Sequence, residues 1–291
     1  MELDYVKNIF SPSFIIHVLQ ERTLSLKKKY GQNFLINRDI ASRIIKLAGL
    51  NKDSTVLEIG PGLGTLTFLI AKQVKRIIAV EIDRGFTRYL QNEIEKLGFR
   101  NVCIINKDFL RLKKNDLHLL ENPDKVISNF PYCIGIKALV KIVDEYQSVD
   151  RIIGTVQKEL ADRITAKPGT KNYSFVSVYL QYLSRVRVIE KNISPKNFFP
   201  SPEVTSSLIE LQPVHETVPI EEGIFKKIVK ASFSNRRKNI VNNLHTPEIG
   251  IDQDVLKQIV SERFKNVKIR AEALSVRDFI ELSGDLIKFV S

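Results

Sequence analysis

Short apolar stretches rich in β-branched residues alternate with segments of helical periodicity in the first part of this 291-residue chain. The stretches lie at 55–59, 76–81, 101–105 and 125–128, and each has the length and composition of a buried strand. Apolar residues recur at helical spacing over residues 86–97, between the second and third stretch. Strands and helices that alternate at this length predict an α/β fold with a doubly wound, mostly parallel sheet.

The chain changes character near residue 212, because only helix-like segments follow that point. Residues 213–291 contain 13 basic and 11 acidic residues, so most of the net charge of +12 lies before them. We therefore predict an N-terminal extension of residues 1–26, a large α/β domain of residues 27–212 and a small helical domain of residues 213–291. The positive charge favours a polyanionic partner, with nucleic acid ahead of a membrane surface.

The cysteine content and the hydropathy pattern indicate a cellular compartment. Cys103 and Cys133 are the only cysteines in the chain, so a disulfide framework is not available and a reducing environment is expected. No stretch reaches the roughly 18 consecutive apolar residues that a membrane span needs, and the N-terminus lacks the pattern of a signal peptide. We predict a cytoplasmic protein without a membrane partner. No His/Cys cluster has the spacing of metal ligands, so no metal is expected.

A glycine-rich loop follows the first predicted strand. Gly60, Gly62 and Gly64 stand at alternate positions, whereas a dinucleotide-binding fingerprint would place its third glycine where this chain has Thr65. Glycine allows the backbone to turn tightly and to approach a ligand closely. The motif alone is also typical of a structural turn. Its spacing disfavours an NAD-dependent dehydrogenase.

Acidic residues follow the next two predicted strands. Glu81 lies about 20 residues after the glycine loop, where a carboxylate can accept hydrogen bonds from ribose hydroxyls. Asp108 follows the third strand and could accept from an adenine amino group. Either residue alone could be a solvated loop residue. Because ligands of such sheets bind beyond the carboxyl ends of the strands, the three elements together predict a pocket for an adenosine without a pyrophosphate. S-adenosylmethionine fits that description better than NAD.

The fourth strand ends in Asn129-Phe130-Pro131-Tyr132. An exocyclic adenine amine is a poor nucleophile, because its lone pair is conjugated into the ring. The Asn129 side-chain oxygen and the Phe130 carbonyl could accept from its two N–H groups and localise that lone pair. Pro131 would fix the turn, and Tyr132 could stack on the base. The alternative is a turn that merely ends the strand.

Residues 129–132 resemble the motif of amino-group methyltransferases, and more closely the variant found in ribosomal RNA adenine dimethyltransferases. In that family a leucine usually stands where this chain has Phe130. Further short blocks resemble the same family in the same order, and the similarity spans about residues 27–245. These blocks lie at 31–35, 157–169, 198–206 and 233–238.

The resemblance implies a Rossmann-like methyltransferase sheet of seven strands in residues 27–212 and an rRNA-recognition role for residues 213–291. It implies that Gln32, Asn33, Leu35, Ile82 and Phe109 bind the cofactor, together with the residues already named and Asn129. It also adds Phe198 as a wall of the target-base site. The implied reaction is S-adenosylmethionine-dependent N6-dimethylation of two adjacent adenosines. These would lie in a loop near the 3′ end of small-subunit rRNA, within an assembling subunit, and the enzyme would act as a monomer.

Two basic clusters are candidates for RNA contact, although a solvated surface would explain either of them. One precedes the 31–35 block and the other lies in the predicted helical domain. They consist of Lys27, Lys28 and Lys29, and of Arg236, Arg237 and Lys238.

Three other functions stay open on the sequence. A large-subunit rRNA methyltransferase of the antibiotic-resistance type would keep the chemistry, although blocks 198–206 and 231–238 resemble the small-subunit enzymes better. A DNA adenine methyltransferase is disfavoured, since no separate target-recognition domain is evident. A non-catalytic ribosome-assembly factor is the alternative from a different class.

Overall fold

The structure, a computed structural model, describes residues 2–113, 122–214 and 222–289. Its internal contacts divide the chain into two compact units. The sheet unit comprises Met1–Ala161 and Arg187–Pro213, and the helical unit comprises Asp162–Val186 and Val214–Ser291.

A seven-stranded sheet forms the centre of the fold and confirms the predicted class. Its strand order is β4-β3-β2-β5-β6-β9-β7. The first five strands in this order, β4, β3, β2, β5 and β6, are parallel to one another, whereas β9 is antiparallel to β6. The strands are β2 (Thr55–Ile59), β3 (Arg76–Glu81), β4 (Val102–Asn106), β5 (Lys125–Asn129), β6 (Arg151–Gln157), β7 (Ser184–Ile193) and β9 (Ser206–Pro213).

Two short strands outside this sheet pair in antiparallel fashion. They are β1 (Phe34–Leu35) and β8 (Phe198–Phe199), with Leu35 opposite Phe198. This pairing joins two of the sequence blocks that lie far apart in the chain.

Helices of the sheet unit begin and end where local signals predict. The side chain of Asn37 accepts from Ile40 N at the start of α3, and Asp83 accepts from Gly85 N at the start of α5. Both helices are amphipathic and bury one face. The helices that begin in this unit are α1 (Glu2–Asn8), α2 (Pro12–Glu21), α3 (Arg38–Ala48), α4 (Thr67–Ala71), α5 (Arg84–Lys96), α6 (Gly135–Glu145) and α7 (Lys158–Ile164).

The N-terminal extension packs on the sheet unit. Ile9 and Ile15 are fully buried, in one apolar cluster with Phe86 and Leu90 of α5. The hydroxyls of Tyr5 and Tyr89 lie 2.6 Å apart. The buried side chains of the described part of this extension thus add to the core of this unit.

The helical unit includes a segment that the sequence led us to expect in the large domain. Residues 162–186 group with the C-terminal helices, because α8 (Phe175–Leu183) packs on α9 (Glu222–Ser232). The rings of Tyr182 and Phe225 stack with centroids 3.8 Å apart. Aromatic packing between segments distant in sequence decides this grouping. The remaining helices of the unit are α10 (Ile240–Leu244), α11 (Gln253–Phe264) and α12 (Val276–Leu286).

Candidate active site

A cavity of about 290 Å³ lies beyond the carboxyl ends of β2, β3, β4 and β5. Parallel strands expose this edge of a sheet, and ligands bind there in open α/β folds. From the N-terminal block and the glycine loop the cavity is lined by Gln32, Asn33, Leu35, Gly60 and Gly62. From the three later strand ends it is lined by Glu81, Ile82, Asp108, Phe109, Asn129 and Pro131.

Two glycines of the loop are required by the packing around them. Gly60 has φ +67°, and a Cβ there would lie 2.8 Å from Cγ of Pro131. Gly62 has φ +56°, and a Cβ there would lie 2.6 Å from Cε1 of Phe34. Any larger residue would be strained and would clash, so the loop keeps its backbone open to the cavity.

Gly64 differs from the expectation that it binds the cofactor, since it does not line the cavity. A Cβ at this position would lie 2.5 Å from Cε2 of Phe68 and 2.7 Å from Cδ1 of Leu90. Gly64 therefore permits close packing of the loop on the core, and its spacing from Gly60 and Gly62 reflects the turn.

Glu81 ends β3 with a buried carboxylate. Its two oxygens accept from Gly62 N at 3.1 Å and from Asp83 N at 2.8 Å. Burial raises the pKa of Glu81 to about 7, although these backbone hydrogen bonds oppose the rise. Each carboxylate oxygen keeps a second lone pair with which it can accept from a hydroxyl of a ligand.

Sequence reasoning missed Glu58, a second carboxyl of the cavity. It is buried in the middle of the apolar strand β2, and its Oε2 accepts from the Thr67 hydroxyl at 2.7 Å. Burial raises the pKa of Glu58 to about 8, and the nearby Glu81 carboxylate adds to the rise. At neutral pH Glu58 is therefore largely a neutral acid that can donate one hydrogen bond.

We expect Glu58→Gln to reduce the dependence of stability on pH. A raised carboxyl pKa makes the folded state bind a proton more tightly than the unfolded state, so this stabilisation is lost as the pH rises toward 8. The loss is at most about 1.4 kcal/mol per pH unit. Melting curves at pH 6 and pH 8 should show a Tm decline in the wild type that is about 5 °C larger than in the variant.

The matched control for that measurement is Glu95→Gln, which changes an exposed carboxyl of α5. It should decline in parallel with the wild type. Equal pH profiles for the wild type and Glu58→Gln would contradict a buried, protonated Glu58.

Asp108 and its neighbours form another wall of the cavity. The Asp108 carboxylate accepts from Leu110 N at 2.9 Å, which fixes its orientation at the end of β4. Phe109 is buried and its ring stacks on Tyr146 at 6.0 Å. Ile82 is 40% exposed, which is unusual for an isoleucine at a strand end. The wall thus combines one carboxylate with apolar surface, as the aromatic ring of a base requires.

Asn129 is held at the end of β5 by hydrogen bonds to its side chain. Its Nδ2 donates to the backbone oxygen of Asn33 at 2.5 Å, and its Oδ1 accepts from the Thr155 hydroxyl at 2.5 Å. The Tyr132 hydroxyl lies 2.5 Å from the Ser206 hydroxyl, which fixes the aromatic ring. Neither Tyr132 nor Phe130 lines the cavity itself.

The side chain of Phe130 packs in the core. It is 1% exposed. A Cβ on Gly154 would lie 1.8 Å from the Ser128 backbone oxygen and 3.1 Å from the Phe130 ring, so the close approach of β5 and β6 requires this glycine and the ring packs beside it. The backbone N–H of Phe130 donates to the Thr155 oxygen at 3.0 Å, which sets the orientation of the following turn.

Phe198 is not placed where the resemblance implied. Its side chain is 2% exposed and belongs to the apolar cluster that contains Leu35 and Ile44. Apolar burial explains this position, because β8 pairs with β1 and turns Phe198 toward α3. A role as an open wall for a base is not supported in this arrangement. The adjacent Phe199 is only partly buried.

The first basic cluster is partly engaged within the protein. Lys27 Nζ forms an ion pair with the buried Asp83 at 2.7 Å, and its side chain is 44% exposed, so an RNA phosphate would compete with this pair for the lysine. The backbone N–H of Lys27 also donates to Gln32 Oε1 at 2.8 Å. Lys29 lines the cavity and lies over the Tyr30 ring. The side chain of Lys28 lies outside the described part of the chain.

The second basic cluster is divided in the same way. Arg236 is exposed and bonds to the Glu272 carboxylate at 3.0 Å and to the Lys171 oxygen at 2.7 Å, so an RNA phosphate would compete with these two partners. Arg237 and Lys238 are exposed, and their side chains have no ion pair within the described residues. Arg237 and Lys238 are thus exposed positive charges that can contact RNA phosphates.

The described ranges contain neither a cluster of metal ligands nor a helix suited to span a membrane. No group of three or more His, Cys, Asp or Glu residues is placed to hold a metal ion in them. In the same ranges, no helix is both long and apolar enough to cross a membrane.

Comparison with known proteins gives consistent matches along the chain. Residues 23–282 match the family described as ribosomal RNA adenine dimethylase. A protein from Lachnoclostridium phytofermentans named ribosomal RNA small subunit methyltransferase A is 35% identical, over 94% of this chain and 95% of the relative. A protein of the same name from Bacillus cereus strain B4264 is 36% identical, over 97% of this chain and 98% of the relative.

Solved structures show the same fold at lower identity. A dimethyladenosine transferase from Plasmodium falciparum aligns with a TM-score of 0.75 at 21% identity, covering 88% of this chain and 98% of that one. A 23S rRNA methyltransferase, ErmE, aligns with a TM-score of 0.64 at 22% identity, covering 87% and 99%. Because the family match covers most of its length, the chain belongs to the ribosomal RNA adenine dimethylase family.

Proposed function

We propose that this protein transfers methyl groups from S-adenosylmethionine to N6 of adenosine in small-subunit rRNA and forms dimethyladenosine. The observation that carries the proposal is the position of Asn129, which ends β5 and lines the cavity together with Pro131. The names of the relatives from two bacteria support the small subunit as the target. By resemblance, the substrate is a pair of adjacent adenosines in a loop near the 3′ end, within an assembling subunit in the cytoplasm.

The cavity has the donor and acceptor set that an adenosyl cofactor requires. Glu81 offers free lone pairs to ribose hydroxyls, and Gly62 keeps the backbone close to the same carboxylate. Asp108 and the apolar side chain of Ile82 suit an adenine ring. Gln32 and Asn33 would contact the remaining part of the molecule. Bound S-adenosylmethionine supplies a methyl group on a positively charged sulfur.

The residues after β5 would prepare the attacking amine. The second lone pair of Asn129 Oδ1 and the Phe130 carbonyl can accept from the two N–H groups of adenine, which localises the nitrogen lone pair. The amine loses a proton readily once it carries the new methyl group, so a general base is not required. Alignment of the reacting atoms then supplies much of the rate, since positioning contributes up to about 7–11 kcal/mol in such reactions.

The target adenosine must be outside a base stack, because N6 cannot be reached inside a duplex. Tyr132, whose hydroxyl is fixed by Ser206, can stack on such a base. Stacking on an aromatic ring is worth about 1–3 kcal/mol per base.

We expect the double variant Arg237→Ala, Lys238→Ala to bind the small subunit less tightly. Each exposed cation that contacts a phosphate releases counterions, so the slope of log K against log salt should fall by about two. Filter binding at several salt concentrations measures this slope. Lys257→Ala, which removes an exposed cation that pairs with Asp254 in the same unit, is the control and should leave the slope unchanged.

The proposal is tested by transfer of labelled methyl groups to isolated small and large ribosomal subunits from a strain that lacks the modification. We expect label in the small subunit alone. Label in the large subunit alone would assign the chain to the antibiotic-resistance type of enzyme. Tight binding to the small subunit without any label would instead favour an assembly factor.

A further inference from the structure

We propose that Thr155 is a positioning residue for methyl transfer, whose buried hydroxyl holds the Asn129 carboxamide in the orientation that receives the adenine amine. This inference rests on the proposed function and assigns a role to a residue of β6 that does not line the cavity. Thr155 lies directly beside Asn129 in the parallel pairing of β5 and β6.

The direction of the two hydrogen bonds at Asn129 fixes the orientation of its amide. The backbone oxygen of Asn33 can only accept, so the group facing it at 2.5 Å must be Nδ2 of Asn129. Oδ1 then faces Thr155, and because an amide oxygen only accepts, the Thr155 hydroxyl must donate. The alternative amide orientation would place two acceptors against each other at Asn33.

This arrangement leaves one acceptor site on Asn129 for the substrate. An amide oxygen has two lone pairs, of which Thr155 occupies one. The χ2 angle of asparagine has a broad distribution. With only the hydrogen bond to Asn33, the amide could therefore still rotate about χ2. With both restraints, the remaining lone pair has a fixed direction before the adenine arrives.

Thr155 also restrains the second acceptor proposed for the amine. Its backbone oxygen accepts from Phe130 N at 3.0 Å. This bond fixes the peptide plane that precedes the Phe130 carbonyl. One residue therefore holds both the side-chain acceptor and the turn that carries the main-chain acceptor.

Packing alone does not explain a hydroxyl at this position. Thr155 is 0% exposed, and its neighbours Ile153 and Val156 on β6 are buried apolar side chains. Valine has nearly the same shape as threonine, so valine would fill this space equally well. A buried hydroxyl costs free energy unless it is hydrogen-bonded. The bond to Asn129 gives the hydroxyl its partner.

The test compares Thr155→Val, which keeps the shape and removes the donor, with Thr155→Ser, which keeps the donor. We expect the valine variant to lose about 10- to 100-fold in kcat, since a small misplacement of a reacting group has effects of that size. Its KM for the small subunit and its affinity for S-adenosylmethionine should stay within about threefold of the wild type. The serine variant should retain most of the wild-type kcat.

The control is Ser207→Ala, which removes a buried hydroxyl of the neighbouring strand β9 that has no hydrogen-bond partner among the described residues. It should leave kcat and KM unchanged. A purely structural role for Thr155 would instead lower the melting temperature and affect the serine and valine variants alike. Valine activity equal to that of the wild type would overturn the inference, whereas an inactive wild type would contradict the proposed function itself.

A second measurement examines the wild-type protein and needs no substitution at Thr155. In the free wild-type protein, the side-chain amide of Asn129, assigned by its absence in Asn129→Ala, should have an NMR order parameter near that of rigid backbone, about 0.85. A value below about 0.6 would show a mobile amide and overturn the inference.

Discussion

The variant Asn129→Ala should transfer methyl groups at less than about one hundredth of the wild-type kcat. In the wild type, Asn129 Oδ1 is the side-chain oxygen at the end of β5 that can accept from the adenine amine. The residues after it that line the cavity within the described part of the chain, Pro131, Cys133 and Ile134, have no side-chain oxygen. Removal of one preorganised hydrogen-bond partner of a transition state costs about 10²–10³ in kcat in well-studied enzymes. Since this bond strengthens as the nitrogen rehybridises, kcat should fall far more than KM rises. Steady-state kinetics with saturating cofactor measures both.

Asn101→Ala is a matched control for that experiment. Asn101 is a partly buried asparagine that directly precedes β4, at the opposite end of that strand from the cavity. Its Nδ2 also donates to backbone oxygens, those of Ala71 and Val74. It should lower stability and leave kcat near the wild-type value. An Asn129→Ala enzyme with more than a tenth of the wild-type kcat would contradict the role of this residue.

The variant Glu81→Ala should bind S-adenosylmethionine at least about 100-fold more weakly. The carboxylate keeps lone pairs for two ribose hydroxyls beyond its bonds to Gly62 and Asp83. Hydrogen bonds to a charged group contribute about 1.5–3 kcal/mol each, and two of them give this factor. Isothermal titration calorimetry at pH 8, where the carboxyl is largely ionised, measures the affinity directly.

The pH dependence of S-adenosylmethionine binding distinguishes the effect of the Glu81 charge from the effect of its position. Burial raises the pKa of Glu81 to about 7, so its ionised form, the better acceptor, increases between pH 6 and pH 8. The wild-type affinity should therefore rise over this range, and Glu81→Gln should bind weakly at both values. Glu58→Gln should keep the rise. An affinity independent of pH, or unchanged in Glu81→Ala, would refute the assignment of Glu81 to the ribose.

The fold was predictable where local pattern decides it. Strands β2, β3 and β5 follow from apolar stretches that are largely buried, whereas β4 lies at the edge of the sheet and is only partly buried. Their parallel order places Glu81, Asp108 and Asn129 at one edge of the sheet. The glycine spacing predicted a tight turn after β2, and Gly60 and Gly62 adopt positive φ values in that turn. These features depend on periodicity and on short-range geometry, which the sequence displays directly.

Features that depend on distant contacts were not predictable in this way. The burial of Phe198 follows from its pairing with β1, more than 160 positions earlier in the chain. The ion pair of Lys27 with Asp83 also joins separate segments, and it changes the role of a residue that looks like surface. Thr155 carries no motif, and only the register of β5 and β6 places it beside Asn129. Glu58 could have been suspected, since a carboxyl inside an apolar strand needs a reason.

We propose that this cavity and Asn129 together methylate N6 of adenosine twice in small-subunit rRNA. The most direct measurement is nucleoside analysis of rRNA from unmodified small subunits after incubation with S-adenosylmethionine and the protein. We predict dimethyladenosine with the wild type and, over the same incubation time, less than about one hundredth as much methylated adenosine with Asn129→Ala. Methylation at another atom or another base, or dimethyladenosine formed by Asn129→Ala at more than a tenth of the wild-type rate, would contradict this proposal.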